Sequence, residues 1–159
     1  KIPTLAEVLS LCRGRIAVNI EIKTEAVGPT ITGGIEEKCL KMVERCGMRR
    51  HVVFSSFDPR AISHIRQIDK RAPVAVLFDK KIDNGRLASE IVVALGADAF
   101  NCSRRELTVK RLTDLKAHNI PVNVYSPNDE EEMRRLVSRG VNGIFTDRPD
   151  ILRRVLEDF

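Results

Sequence analysis

The chain has 159 residues, a net charge of +5 and ordinary apolar content, the size and composition of one globular domain with a sizeable core. No apolar run approaches the roughly 20 residues needed to cross a bilayer, so a transmembrane segment is excluded, and no signal-peptide pattern opens the chain. The basic residues are interleaved with Asp and Glu over many segments, and with no Trp and one Tyr for base stacking, no nucleic-acid partner is expected.

The first residue is Lys1 rather than Met, so the natural start is expected to be absent or processed. Cys12, Cys39, Cys46 and Cys102 show no CxxC spacing. The first three sit at apolar positions of helix-like segments and read as buried thiols rather than metal ligands or disulfides. A reducing, cytoplasmic location fits that usage.

Thr4 and Glu7 form a capping box for a first helix with Leu5, Val8, Leu9 and Cys12 as its stripe, and Gly14 stops it. Residues 16–23 alternate: Ile16, Val18, Ile20 and Ile22 on one face, Ala17, Asn19, Glu21 and Lys23 on the other. That predicts a strand packed on an apolar layer. An outer strand of an antiparallel sheet would alternate too, but the strands that follow are near-continuous apolar runs, as in a buried parallel sheet. Residues 24–34 are a long polar connection, and such connections in compact domains are often functional.

A helix with Ile35, Cys39, Leu40, Val43 and Cys46 on one side follows, and Gly47 stops it. Residues 52–57 form a second strand, and Asp58-Pro59 caps a helix with Ala61, Ile62, Ile65 and Ile68 inside. Further strands are expected at 74–78, 97–101, 121–125 and 143–146. Helices are expected from Gly85 to Leu95, after Thr108, from Ser126-Pro127 and after Asp147. The later strands recur at a period of roughly 23 residues. Six βα units follow, in a single domain over residues 1–159. A doubly wound sheet and a β/α barrel both fit this pattern; a whole (β/α)8 barrel needs about 250 residues and two more units.

Parallel strands present their carboxyl ends on a common face, where ligands bind in such folds. Collected there are Glu21 and Lys23; Ser55 and Ser56; Phe78 and Asp79; Asn101 and Ser103; Asn123 and Tyr125; Thr146 and Asp147. A carboxylate suits a hard divalent cation, and an ammonium beside it suits a phosphate oxygen. The same two residues could instead form an ion pair filling a barrel interior. His51 lies at the start of a strand, His64 is read as mid-helix on the outside, and His118 falls at a helix C-terminus. None reaches the strand-end face.

Asn-Ile-Glu-Ile-Lys at 19–23, Phe-Ser-Ser-Phe-Asp at 54–58, Val-Asn-Val-Tyr at 122–125 and Gly-Ile-Phe-Thr-Asp-Arg-Pro-Asp at 143–150, with Ile-Pro-Thr-Leu at the start, occur in that order. The chain thereby resembles the glycerophosphodiester phosphodiesterase family over essentially its whole length. The resemblance implies an α/β fold, a parallel (β/α)8 TIM barrel, present here as an incomplete barrel of about six units, strands three to eight. It implies metal-dependent hydrolysis of a small-molecule glycerophosphodiester to glycerol 3-phosphate and an alcohol.

By the same resemblance Glu21 is the metal-binding residue, for Mg²⁺ or Ca²⁺, and Lys23 the catalytic residue that contacts the phosphate. Ser56, Asn101 and Tyr125, with Lys23, are the expected substrate-binding residues. Tyr125 stands where family members usually have Trp, and Ser126-Pro127-Asn128 departs from the usual Thr-Val-Asn, which bears on the alcohol group. The family's His-Arg-Gly strand, Glu-x-Asp strand and later His-Asp have no counterpart here, so the acid–base histidines are expected to be missing and this segment alone to be inactive. Two other readings stay open. One is a phosphate-ester-binding or interaction segment without catalysis; the other is a barrel part that self-associates through its open edges.

Overall fold

In a computed structural model of the protein, residues 1–80 and 85–159 are described. They fall into two compact units, one of residues 1–77 with 95–97 and the other of residues 78–94 with 98–159.

The first unit begins with α1 (Leu5–Cys12), where Thr4 and Glu7 close the expected capping box. Then come β1 (Val18–Glu21), α2 (Ile35–Arg45), β2 (Val52–Ser56), α3 (Pro59–Ile68) and β3 (Val74–Leu77). β1 pairs in parallel with β2, Val18 opposite Val52 and Glu21 opposite Ser55, and β2 pairs in parallel with β3, Ser55 opposite Ala75. β1 is shorter than its alternation predicts. Pairing starts only at Val18, so Ile16 has no strand beside it and is 65% exposed. Ile20, Ile22, Val43, Phe54, Ile62, Ile65 and Val74 form the core between strands and helices.

The second unit holds most of α4 (Ala88–Leu95), then β4 (Ala99–Ser103), α5 (Val109–Ala117), β5 (Val122–Tyr125), α6 (Glu130–Ser138), β6 (Gly143–Phe145) and α7 (Pro149–Leu156). β4 lies two residues beyond its predicted position. β4, β5 and β6 are again parallel, with Asn101 opposite Asn123 and Asn123 opposite Gly143. Phe100, Cys102, Leu115, Val122, Val124, Met133 and Val155 are buried here. α6 starts later than expected, because Asp129 rather than Ser126 accepts the N-terminal hydrogen bond, from the Glu132 N–H. On α7 only Val155 is fully buried, and Leu156, expected inside, is 53% exposed.

The four cysteines are free thiols. Cys39 and Cys102 are buried, and burial pushes the Cys102 thiol up to about 12. Cys12 and Cys46, expected to be buried, are only half-buried. Among the described residues no helix is long and apolar enough to cross a membrane.

One sequence expectation is corrected inside the first unit. His64 does not face outward; it is buried, and its Nδ1 lies 3.0 Å from Oε1 of Glu36, which is completely buried. The reason is its helical position, flanking Ala61 and Ile65 on the face that α3 turns to the core. The other Glu36 oxygen has no hydrogen-bond partner among the described residues. Gly34 lies so close that a Cβ there would stand 2.9 Å from that oxygen. Removing one member of a buried hydrogen-bonded pair leaves the other without its partner. His64→Ala is therefore expected to cost about 1–3 kcal/mol, measured by urea denaturation. Glu36→Gln, which can still pair with the imidazole, should cost clearly less, and equal losses would contradict the buried-pair interpretation.

Candidate active site

Successive strand residues point to opposite faces, and in β1 the buried Ile20 goes to the core while Glu21 goes to the other face. Just past the strand, Lys23 Nζ donates to Glu21 Oε1 at 2.7 Å. The Glu21 side chain is 30% exposed and that of Lys23 68%. A pair this open contributes about 0.2–1 kcal/mol. A hydrogen bond to a charged group gains about 1.5–3 kcal/mol. The pair is thus easily opened by an anion that meets Lys23 or a cation that meets Glu21.

Ser55 shares the Glu21 register on β2. It is completely buried, and its hydroxyl has no hydrogen-bond partner among the described residues. Ser56, the serine expected to touch substrate, lies on the opposite face of β2 with Phe54 and is 1% exposed. Its hydroxyl donates to the Ile22 carbonyl at 2.7 Å and accepts from the Asp58 N–H at 3.0 Å. Strand alternation turns Ser56 away from the Glu21 face. Asp58 in turn caps α3 and binds Arg60, whose hydrogen bonds hold its carboxyl below the usual carboxylate range.

In the second unit Asn101, Asn123 and Tyr125 share one strand face, with Phe100, Val122 and Val124 on the other. Asn123 Nδ2 donates to Asn101 Oδ1 at 2.8 Å, and Asn101 is 1% exposed. The Tyr125 hydroxyl donates to the Phe78 carbonyl at 3.0 Å, and its ring meets Phe145 edge-on at 6.4 Å. Phe78 stacks at 5.1 Å on Phe100 and carries the Arg111 guanidinium 4.3 Å above its ring. Ser103 is engaged with Glu106.

Thr146 and Asp147 both bind Asn128. The Thr146 hydroxyl and the Asp147 N–H donate to Asn128 Oδ1, and Asn128 Nδ2 donates to Asp147 Oδ2. Asn128 thus ties the β5–α6 loop to the end of β6, a role sequence reading missed because its partners lie 18 and 19 residues away.

The histidines stand away from the strand carboxyl ends. His51 closes a short 3-10 turn before β2, His64 is in α3, and His118 follows α5, its Nδ1 2.8 Å from the Asp114 carbonyl. Among the described residues no group of three or more His, Cys, Asp or Glu side chains could hold a metal ion. Glu21 supplies a single carboxylate, whereas Mg²⁺ and Ca²⁺ take six or more oxygens. Among the described residues the donor set is therefore partial.

The fold class these units define is α/β, six parallel βα units of the TIM-barrel type. The profile of the glycerophosphoryl diester phosphodiesterase family matches residues 1–151. The chain is 25% identical to a glycerophosphodiester phosphodiesterase of Bacillus subtilis, an alignment covering 100% of this chain and 55% of that protein. It is structurally similar to a glycerophosphoryl diester phosphodiesterase of Silicibacter pomeroyi, described there as putative, with a TM-score of 0.86, 25% identity and coverage of 98% of this chain and 56% of that one. An Oleispira antarctica phosphodiesterase in complex with the product sn-glycerol-3-phosphate shares the fold, with a TM-score of 0.76 at 20% identity over 98% of this chain and 62% of that one. The chain belongs to the glycerophosphoryl diester phosphodiesterase family. It spans about half to two-thirds of the length of these relatives.

Gly143 lies opposite Asn123, and a Cβ on it would collide with Asn123 Oδ1 and stand 3.2 Å from Cγ. Gly143→Ala should therefore displace the Asn123 amide from Asn101 and cost about 1–3 kcal/mol by overpacking. Adding Asn123→Ala to it should recover part of that loss in thermal unfolding. Additive losses would show that the two positions do not compete for one space.

Proposed function

We propose that this chain carries part of the site of a metal-dependent phosphoric diester hydrolase that cleaves glycerophosphodiesters to glycerol 3-phosphate and an alcohol. The observation that carries the reading is the Glu21–Lys23 pair, at 2.7 Å and open to solvent at the carboxyl end of β1. Family membership supports it. Lys23 binds a phosphate oxygen and stabilises charge that builds there as the ester is cleaved. Glu21 is the residue of this chain that would hold Mg²⁺ or Ca²⁺, with other ligands completing the shell, and the cation when bound supplies Lewis-acid polarisation of the phosphoryl group.

Asn101 and Tyr125 are the proposed substrate contacts of the second unit. Asn101 offers its amide beside Asn123, and Tyr125 offers a ring whose hydroxyl is turned to the Phe78 carbonyl. The proton transfers fall to groups other than His51, His64 and His118, given where those three stand. On this reading the chain binds the phosphate ester but turns it over little or not at all. The position of the histidines also favours a second reading, a phosphate-ester-binding segment without catalysis.

Titration calorimetry with glycerol 3-phosphate separates the two. A site built on the Glu21–Lys23 pair loses about tenfold or more in affinity on Lys23→Ala, equivalent to ~1.4 kcal/mol or more. Binding should also weaken on Glu21→Gln and on adding a chelator. Binding that ignores the chelator and Glu21→Gln favours the non-catalytic reading, and binding that ignores Lys23→Ala contradicts both. Robust hydrolysis of glycerophosphocholine by this chain would overturn the assignment of proton transfer to other groups.

A further inference from the structure

We infer that Ser56 is a positioning residue, which fixes the Glu21–Lys23 pair by clamping the peptide between them. This rests on the proposed role of that pair and adds to it a residue that acts without touching a ligand. Ile22 stands between Glu21 and Lys23, and β2 holds it at both polar atoms. Its N–H donates to the Ser55 carbonyl at 2.8 Å, and its carbonyl accepts the Ser56 hydroxyl at 2.7 Å. The Ile22 side chain is buried in the core at 3% exposure, so the residue is fixed on its apolar side as well.

β1 ends at Glu21, one residue earlier. Past that point regular pairing with β2 no longer fixes the chain. The backbone then enters a short 3-10 turn, Thr24–Ala26, with Lys23 as its cap and the Lys23 carbonyl accepting from the Ala26 N–H. The Ser56 hydroxyl meets the chain between the last ladder residue and that turn. It also accepts the Asp58 N–H at 3.0 Å, which anchors it to the capped start of α3. Without it, a buried carbonyl and a buried N–H both lose a partner, and the peptide that spaces Glu21 from Lys23 is released on one side. Two long, half-open side chains then lose the fixed backbone that aims them at a shared ligand, and affinity drops because ordering is no longer done in advance.

The test compares Ser56→Ala with Val43→Ala, a core truncation on α2 that lowers stability and removes neither of the Ile22 hydrogen bonds. In the ligand-free protein, amide exchange over residues 18–26 should quicken about tenfold in Ser56→Ala, equivalent to ~1.4 kcal/mol, and not in a Val43→Ala protein of matched stability. Glycerol 3-phosphate affinity should fall about tenfold in Ser56→Ala, stay near wild type in Val43→Ala, and fall no further when Ser56→Ala is added to Lys23→Ala. Equal exchange in the two variants, or an affinity loss that is additive with Lys23→Ala, would overturn the inference. Wild-type protein that binds no glycerol 3-phosphate would count against the proposed function instead, and the exchange comparison would still decide the role of Ser56.

Discussion

The strand residues are sorted by one constraint: a strand sends successive side chains to opposite faces. On β1 it sends Ile20 into the core and leaves Glu21 outside it. On β2 it separates two adjacent serines, one in register with Glu21 and the other bonded to the Ile22 carbonyl. On β4 and β5 it groups Asn101, Asn123 and Tyr125 apart from Phe100, Val122 and Val124. Parallel pairing keeps residues of equal register on the same face, so polar side chains from neighbouring strands meet, as Asn123 meets Asn101.

Magnitudes separate structural polar groups from those free to do chemistry. The Glu36–His64 pair is buried, and breaking it leaves a buried polar group without its partner, at a cost of about 1–3 kcal/mol. The Glu21–Lys23 pair is open to solvent and contributes at most about 1 kcal/mol to stability. A fold gains little from keeping such a pair, and a ligand loses little by opening it. Asn128 belongs with the structural groups. Its side-chain amide holds Thr146 and Asp147 through three hydrogen bonds, so those two residues, grouped by sequence with the chemical face, are tied to a loop.

Local signals were legible in the sequence. The Thr4–Glu7 capping box, the Asp58-Pro59 start of α3 and the alternation of six strands with helices all depend on neighbours within a few residues. The motifs of residues 19–23, 54–58, 122–125 and 143–150 carried the family. What failed was long-range. Ile16 was expected in the strand because alternation cannot show where the partner strand begins. Val52-Val53-Phe54 is continuous apolar sequence, so nothing in it told which of Ser55 and Ser56 faces which way. Sequence alone puts His64 on the outer side of its helix, because its partner Glu36 lies 28 positions away. The sequence around Asn128 departs from the family motif, but its structural part is set by Thr146 and Asp147 at the next strand end.

The most direct test of the central claim is a crystal structure of the protein grown with glycerol 3-phosphate and Ca²⁺. The expected result is a phosphate oxygen about 3 Å from Lys23 Nζ and the cation about 2.4 Å from a Glu21 oxygen, with the direct Lys23–Glu21 hydrogen bond replaced by these contacts. A ligand seated elsewhere, with Glu21 and Lys23 still joined at 2.7 Å, would contradict it.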